Sequence, residues 1–359
     1  MKLPAHGANP HYLYENLGLA MPDDVIDFSA NINPLGPPDA LRDKWDRLYE
    51  DIKVYPDPEG RTLKGKIAAR EQVKKQEVLV GNGAAEILAL IGRMLAGKKV
   101  LLIQPTFSEY EKVCQTNDCE ISHYMMSDKD WGLDLEAIAE KIKGVDAVFF
   151  CNPNNPTGIY YSKEELLFLL QKCQQHNCYF ILDEAFYDFV PAYENMVSEI
   201  AHYPLFIIVR SMTKMFSIPG IRLGYMLADA AVITNTAKFQ PHWSLNSIAL
   251  KTGELLLEEM KFVAETVQYI QKEKQAIFSF YQQLGFAITD TQANFYLLKD
   301  PLHDNQHAFL LFLLKEGIVA RHTYNYPGLE GRWLRFAIKK RQENERLRGA
   351  MTKWIKSQH

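Results

Sequence analysis

The sequence predicts an α/β fold: a three-layer large domain on a mainly parallel sheet, followed by a smaller α+β domain toward the C-terminus. Three observations carry this. Short apolar runs that end in polar or turn clusters alternate with helical stretches, as they do where helices wrap a parallel sheet. The runs are continuously apolar, which suits strands buried on both faces. From about residue 246 the texture changes to one long helical pattern and then to shorter strand-like pieces.

Along the chain, "EVLV" (77–80) reads as a strand that enters the turn "GNGAAE" (81–86) and a helix over 84–95. "KKVLLIQP" (98–105) is a strand and "FSEYEKVCQ" (107–115) a helix. "VDAVFFCNP" (145–153) and "CYFILDEA" (178–185) are strands on either side of a helix over 162–176. Ser162, with Glu165 three residues on, gives that helix a capping box. "PLFIIVRS" (204–211) is the next strand. One unbroken helix is expected from 246 to a glycine stop at Gly285. The strand "NFYLLK", the helix "NQHAFLLFLLKEG" and the strand "WLRFAIK" complete the chain. The expected domains are an N-terminal arm over 1–30 packing near the small domain and the active site, a large ligand-binding domain over 31–245, and a connecting helix with the small domain over 246–359.

Composition narrows the class of function. A chain 47% hydrophobic and 23% charged is neither fibrous nor disordered. The net charge of −4, with its cations scattered, offers no footprint for nucleic acid. Five cysteines, odd in number and without a CxxC pair, argue against a disulfide framework and against a structural zinc site, so no metal is expected. The longest apolar runs, such as "AFLLFLL" (308–314), fall short of the roughly 18 to 20 residues of a membrane span. "MKLPAHGANPHY" lacks the apolar core of a signal peptide. A soluble cytoplasmic protein is expected.

In open parallel sheets ligands bind beyond the carboxyl ends of the strands, and several runs here end in reactive side chains. "GNGAAE" suits an anion at a helix start, or simply a tight turn. Asp183 closes "CYFIL" as a helix cap or as the partner of a cation. Lys214 lies in "RSMTKMFSIPGIRLGY" (210–225), an apolar setting where an ammonium is costly unless it is paired, neutralised or snorkelling to water.

Taken together, the glycine turn, "PTF" (105–107), "NPNNPTG" (152–158), "DEAFYD" (183–188), "SMTK" (211–214), Arg222 and Gly224 resemble the fold-type-I pyridoxal-phosphate enzymes, the class I/II aminotransferase superfamily. The resemblance runs from about residue 25 to 340. It implies pyridoxal 5'-phosphate as cofactor, bonded covalently through its aldehyde to Lys214, whose desolvated site would favour the free amine. It implies that Asp183 pairs with the ring nitrogen, that Asn155 and Tyr187 bond the ring hydroxyl, and that Tyr110 stacks on the ring, with Phe107 the competing aromatic. The cofactor phosphate would be held by Gly83, Ala84 and Ala85 at a helix start, by Ser211 and Thr213, and by Arg222. Ala84 and Ala85 offer only backbone N–H groups where relatives often carry a hydroxyl or an acid. Tyr55 resembles the tyrosine that reaches the partner subunit's cofactor phosphate, which implies a homodimer.

Within the family, "HGAN" (6–9), "DFSANINPLGPP" (27–38) and "YPGLEGRWLRFAIK" (326–339) resemble the L-threonine-O-3-phosphate decarboxylases of the cobalamin pathway more closely than the histidinol-phosphate aminotransferases. A phosphorylated amino acid would then be the substrate. Arg335 would clamp its carboxylate with Asn155 and the backbone of Asn31 or Ile32, while His6, Arg321, His322 and Arg332 are candidates for its phosphate. The alternatives are an aminotransferase and a catalytically idle module that kept the fold. A nucleotide-binding turn at "GNGAAE" lacks the GxGxxG spacing and leaves Lys214 unexplained.

Overall fold

The computed structural model describes residues 3–358. Strand β1 (Ile26–Asp27) precedes a seven-stranded sheet made of β2 (Val78–Gly81), β3 (Lys99–Gln104), β4 (Glu120–Met125), β5 (Ala147–Cys151), β6 (Tyr179–Asp183), β7 (Phe206–Ser211) and β8 (Gly224–Ala228). Five short strands follow: β9 (Ala287–Ile288), β10 (Phe295–Lys299), β11 (Ile318–Val319), β12 (Arg321–His322) and β13 (Leu334–Ala337).

The large sheet has the order β2-β8-β7-β6-β5-β3-β4. Only β8 runs against its neighbours β2 and β7. Strands β5, β6, β7 and β8 are buried at every residue but Tyr179, because helices cover both faces; their apolar runs are therefore unbroken. The β4 edge is half exposed and alternates, which is why its sequence "EISHYM" does not read as an apolar run. The "GYMLA" of β8 is a short run placed directly behind the Arg222 motif, and periodicity alone does not mark it as a strand.

The helix Lys163–Gln175 begins with the expected capping box. Ser162 Oγ accepts from the Glu165 N–H, and the Glu165 carboxylate accepts from the Ser162 N–H at 2.8 Å. The long helix expected from 246 is instead two, Ser247–Leu256 and Met260–Gln283. The apolar period continues across the break, but the two segments pack on different neighbours. The first lies on helices Arg61–Glu71 and Trp45–Asp51, the second on β9 and the C-terminal helix Arg341–Ser357. Lys66 Nζ and Arg70 Nη1 donate to the carbonyls of Glu254 and Leu257 and so tie off the end of the first segment.

The second sheet, β12-β13-β10-β9, is antiparallel. The N-terminal stretch lies against it: β1 and β11 form a separate two-stranded parallel sheet, and the Pro4 and Ala5 carbonyls accept from His322 and Arg321 of β12. Among the described residues no helix is long and apolar enough to cross a membrane, and no cluster of His, Cys, Asp or Glu could hold a metal ion.

Candidate active site

The carboxyl ends of β5, β6 and β7 open into one cavity of about 470 Å³. β6 delivers Asp183 to it. β7 delivers Ser211, and the short helix Met212–Met215 that follows carries Thr213 and Lys214. The backbone at the lysine is pinned by Asn33, whose N–H donates to the Lys214 carbonyl at 3.0 Å and whose side chain donates to the Met215 carbonyl at 2.8 Å. β5 leads into the "NPNNPTG" loop. There the Asn154 carboxamide accepts from the Thr157 hydroxyl and donates to the Pro105 carbonyl, leaving Asn155 to face the cavity. Ala84 and Ala85, in the first turn of the helix Gly83–Met94, line the wall beside Arg222.

Burial sets the charge states. Lys214 is drawn down to about 8, first by desolvation and then by the positive charges of Arg335 and Arg222, against the pull of Asp183. Asp183 is pushed up to about 6 by desolvation, although a hydrogen bond from Tyr110 and the N–H of Ala185 favour its anion. Arg335 comes from β13. Its Nη1 donates to the Asn155 carboxamide oxygen and, at 3.2 Å, to the Tyr326 hydroxyl, while Nη2 donates to the Ser29 carbonyl at 3.0 Å. Arg321, from β12, is 3% exposed and is satisfied by the Ala5 and His322 carbonyls and by Asn325. Among the described residues neither guanidinium meets a carboxylate, and the Nε of Arg335 and the Oδ1 of Asn31 have no partner.

Four residues are not set as the motifs put them. Tyr187 is absent from the cavity lining: its ring lies under the Arg210 guanidinium at 4.0 Å and its hydroxyl faces that of Tyr225. The preceding residue, Phe186, lines the cavity instead, because the chain turns through a short 3-10 helix at 187–189 and sends neighbouring side chains to opposite sides. Tyr110 belongs to the cavity lining, but its ring is already engaged. It is fully buried, one face is stacked on Phe149 at 5.3 Å, and its hydroxyl donates to Asp183 Oδ2 at 2.6 Å. Phe107, half-buried in the cavity wall, is the aromatic left to cover a ring. Arg332 lies outside the cavity in an ion pair with Asp128. His322 is buried behind the wall and held neutral, its value pulled down to about 3 by desolvation and by Arg321. Tyr55, expected to serve the partner subunit's site, is 84% exposed and is not part of this chain's own cavity lining.

The remaining candidates, His6 and Ile32, line the cavity, with His6 Nε2 2.8 Å from Glu109 Oε1 at its mouth. Sequence reasoning missed Asp27 and Tyr326, which also line it. It also missed the layer beneath. Arg210, 1% exposed, pairs with Glu184 at 2.8 Å and Glu71 at 2.6 Å, directly behind Ser211 and Asp183. The signal available was the charged neighbour of each motif residue, "DE" and "RS", inside otherwise apolar strands.

The family of class I and II aminotransferases matches residues 23–351. The chain belongs to it. A threonine-phosphate decarboxylase of Salmonella typhimurium is 33% identical over 350 residues, covering 97% of this chain and 95% of that one. A histidinol-phosphate aminotransferase of a Geobacillus species is 27% identical, covering 93% and 91%. Among solved structures, the histidinol-phosphate aminotransferase of Clostridium acetobutylicum superposes with a TM-score of 0.86 at 31% identity, over 92% of this chain and 99% of that one.

The cofactor of class I and II aminotransferases is pyridoxal 5'-phosphate, and the cavity fits it on three counts. It holds a primary amine drawn toward its free form and a buried carboxylate beyond it. It also holds a guanidinium beside a helix start where no side chain intervenes: a Cβ on Gly83 would stand 2.5 Å from Arg222 Nη2, and Gly83 has φ +76°, so glycine is required there.

Proposed function

We propose that this enzyme decarboxylates L-threonine O-3-phosphate to (R)-1-amino-2-propanol phosphate, the reaction of cobalamin biosynthesis, with pyridoxal 5'-phosphate held by Lys214, Asp183, Asn155, Arg222, Ser211, Thr213 and the N–H groups of Gly83, Ala84 and Ala85. One observation carries the choice of substrate: two buried guanidiniums, Arg321 and Arg335, open to one cavity without a carboxylate partner. A buried cation is costly unless an anion meets it. Threonine phosphate brings a carboxylate and a phosphate in one molecule, whereas an aminotransferase would meet the same pair with the phosphate of histidinol phosphate and, in its other half-reaction, the two carboxylates of 2-oxoglutarate. The threonine-phosphate decarboxylase 33% identical to the chain supports the same reading.

Bound to the protein, the cofactor supplies an electron sink for the bonds at the substrate Cα. Asp183, ionised above about pH 6, keeps the ring nitrogen cationic. Arg335 and Asn155, already bonded to each other, grip the carboxylate, and Arg321 meets the phosphate with His6 at the cavity mouth. Phe107 and Ala185, which line the cavity, would flank the bound cofactor and help to exclude water. Lys214 holds the proton that is returned to Cα after carbon dioxide leaves, a role suited to an amine that titrates near 8. We place the active unit as a homodimer in which Tyr55 reaches the partner's cofactor phosphate.

The test is to incubate the purified holoenzyme with threonine phosphate and, separately, with histidinol phosphate plus 2-oxoglutarate. Carbon dioxide and aminopropanol phosphate are expected in the first mixture. Glutamate in the second mixture with no carbon dioxide in the first would assign an aminotransferase.

A further inference from the structure

The Tyr110 hydroxyl remains unexplained by the roles above. It lies inside the protein, within reach of the Cys151 thiol, and it donates to the Asp183 carboxylate at 2.6 Å. That distance is typical of a charge-assisted O–H···O⁻ bond. Asp183 Oδ1 is taken by the Ala185 N–H at 2.9 Å, so the two donors fix one oxygen each and set the plane of the carboxylate. The Tyr110 ring is clamped in turn, stacked on Phe149 at 5.3 Å and met edge-on by Phe107 at 5.8 Å. Such an arrangement has nowhere else to point.

We infer that Tyr110 is a positioning residue for Asp183: its hydroxyl orients the carboxylate and keeps it ionised against the cofactor ring nitrogen. The inference rests on the reading that Asp183 faces that nitrogen. The groups that act on Asp183 are Tyr110 from the helix Glu109–Thr116, the Cys151 thiol at the end of β5, Lys214 from the helix Met212–Met215, and Glu184, which follows it in the chain. Burial drives the Cys151 thiol up, so it stays neutral, and it drives Glu184 up while Arg210 offsets it. Tyr110 is therefore the side-chain hydrogen-bond donor to this carboxylate, and Lys214 acts on it only through charge. Burial also drives the Tyr110 phenol well above its ordinary value, so it remains a donor throughout the working pH range.

Tyr110→Phe keeps the ring and deletes the donor. Holoenzyme is dialysed to equilibrium with pyridoxal 5'-phosphate across pH 5 to 8.5, and retained cofactor is measured by its visible band. Wild-type affinity is expected to fall on the acid side as Asp183 takes up a proton. In Tyr110→Phe that acid limb moves to higher pH by about one unit, and affinity at pH 7 drops by about tenfold, the loss of one hydrogen bond to a charged group. Phe149→Leu disturbs the packing of the same ring but leaves the hydroxyl, and its acid limb stays with wild type. An unchanged limb in Tyr110→Phe, or an equal displacement in both variants, overturns the inference. A wild-type protein that retains no cofactor at any pH would instead remove the reading beneath it.

Discussion

At the residue scale, the motifs named the reactive groups because each chemistry admits few side chains: an amine at 214, a carboxylate at 183, guanidiniums at 222 and 335. All four line one cavity. What motifs do not encode is direction. Spacing put Tyr187 where the 3-10 turn at 187–189 sends Phe186 instead, and it could not decide between Phe107 and Tyr110, which both line the cavity. The most direct consequence of the geometry concerns Lys214. With its ammonium drawn down to about 8, roughly a tenth of the side chain is free amine at pH 7, against far less than a hundredth for an ordinary lysine. The rate at which apo-protein captures pyridoxal 5'-phosphate should therefore climb about tenfold from pH 6 to 7 and level off just above 8. The sign follows from the amine being the reactive form. Stopped-flow absorbance checks it, and a rate still climbing at pH 10 would place the lysine in an unperturbed site.

At the scale of elements, the central strands were legible because burial on both faces leaves continuous apolar runs, while β4 and the break at 257–259 were not. An edge strand follows no such rule, and a helical period does not record which neighbour it packs against. Nor does the sequence show what joins the strand ends beneath the cavity. Arg210 does so. From β7 it pairs with Glu184 at the end of β6 and Glu71 at the end of the helix Arg61–Glu71, and its Nη2 donates to Tyr193 at 2.8 Å. Tyr225, its register partner on β8, donates to Glu71 at 3.0 Å. Both carboxylates are buried, so removing the cation strands two negative charges. Arg210→Met is expected to cost about 3–5 kcal/mol, read as a lowered urea midpoint, because a buried charge left without its partner is strongly destabilising. The triple change Arg210→Met, Glu184→Gln, Glu71→Gln should recover much of that loss. If the single variant is as stable as wild type, the network contributes little.

At the scale of the whole molecule, one exposed surface bears on the proposed dimer. Along the helix Trp45–Asp51 and the turn after it, Trp45, Tyr49, Ile52, Val54 and Tyr55 are exposed by 52 to 84%, and Tyr55 rests at 5.5 Å on Trp243, itself 52% exposed. Contiguous apolar patches of this kind mark interfaces, and a second copy related by a twofold axis buries the same patch from both chains. The patch also carries Tyr55, a residue of the cofactor reading that lies outside this chain's own cavity lining. Oligomeric state and cofactor retention should therefore be linked. Analytical ultracentrifugation is expected to give two chains per particle. Tyr49→Glu with Val54→Glu sets two like charges against their copies and should yield monomers that hold pyridoxal 5'-phosphate at least tenfold more weakly, although every cavity residue is intact. Tyr55→Phe, which removes a hydroxyl but little apolar surface, should remain a dimer and lose only several-fold in retention. Monomeric wild-type protein with full cofactor affinity would exclude a shared site, whereas dimers in which Tyr55→Phe binds as wild type would keep the interface and deny the phenol its part in it.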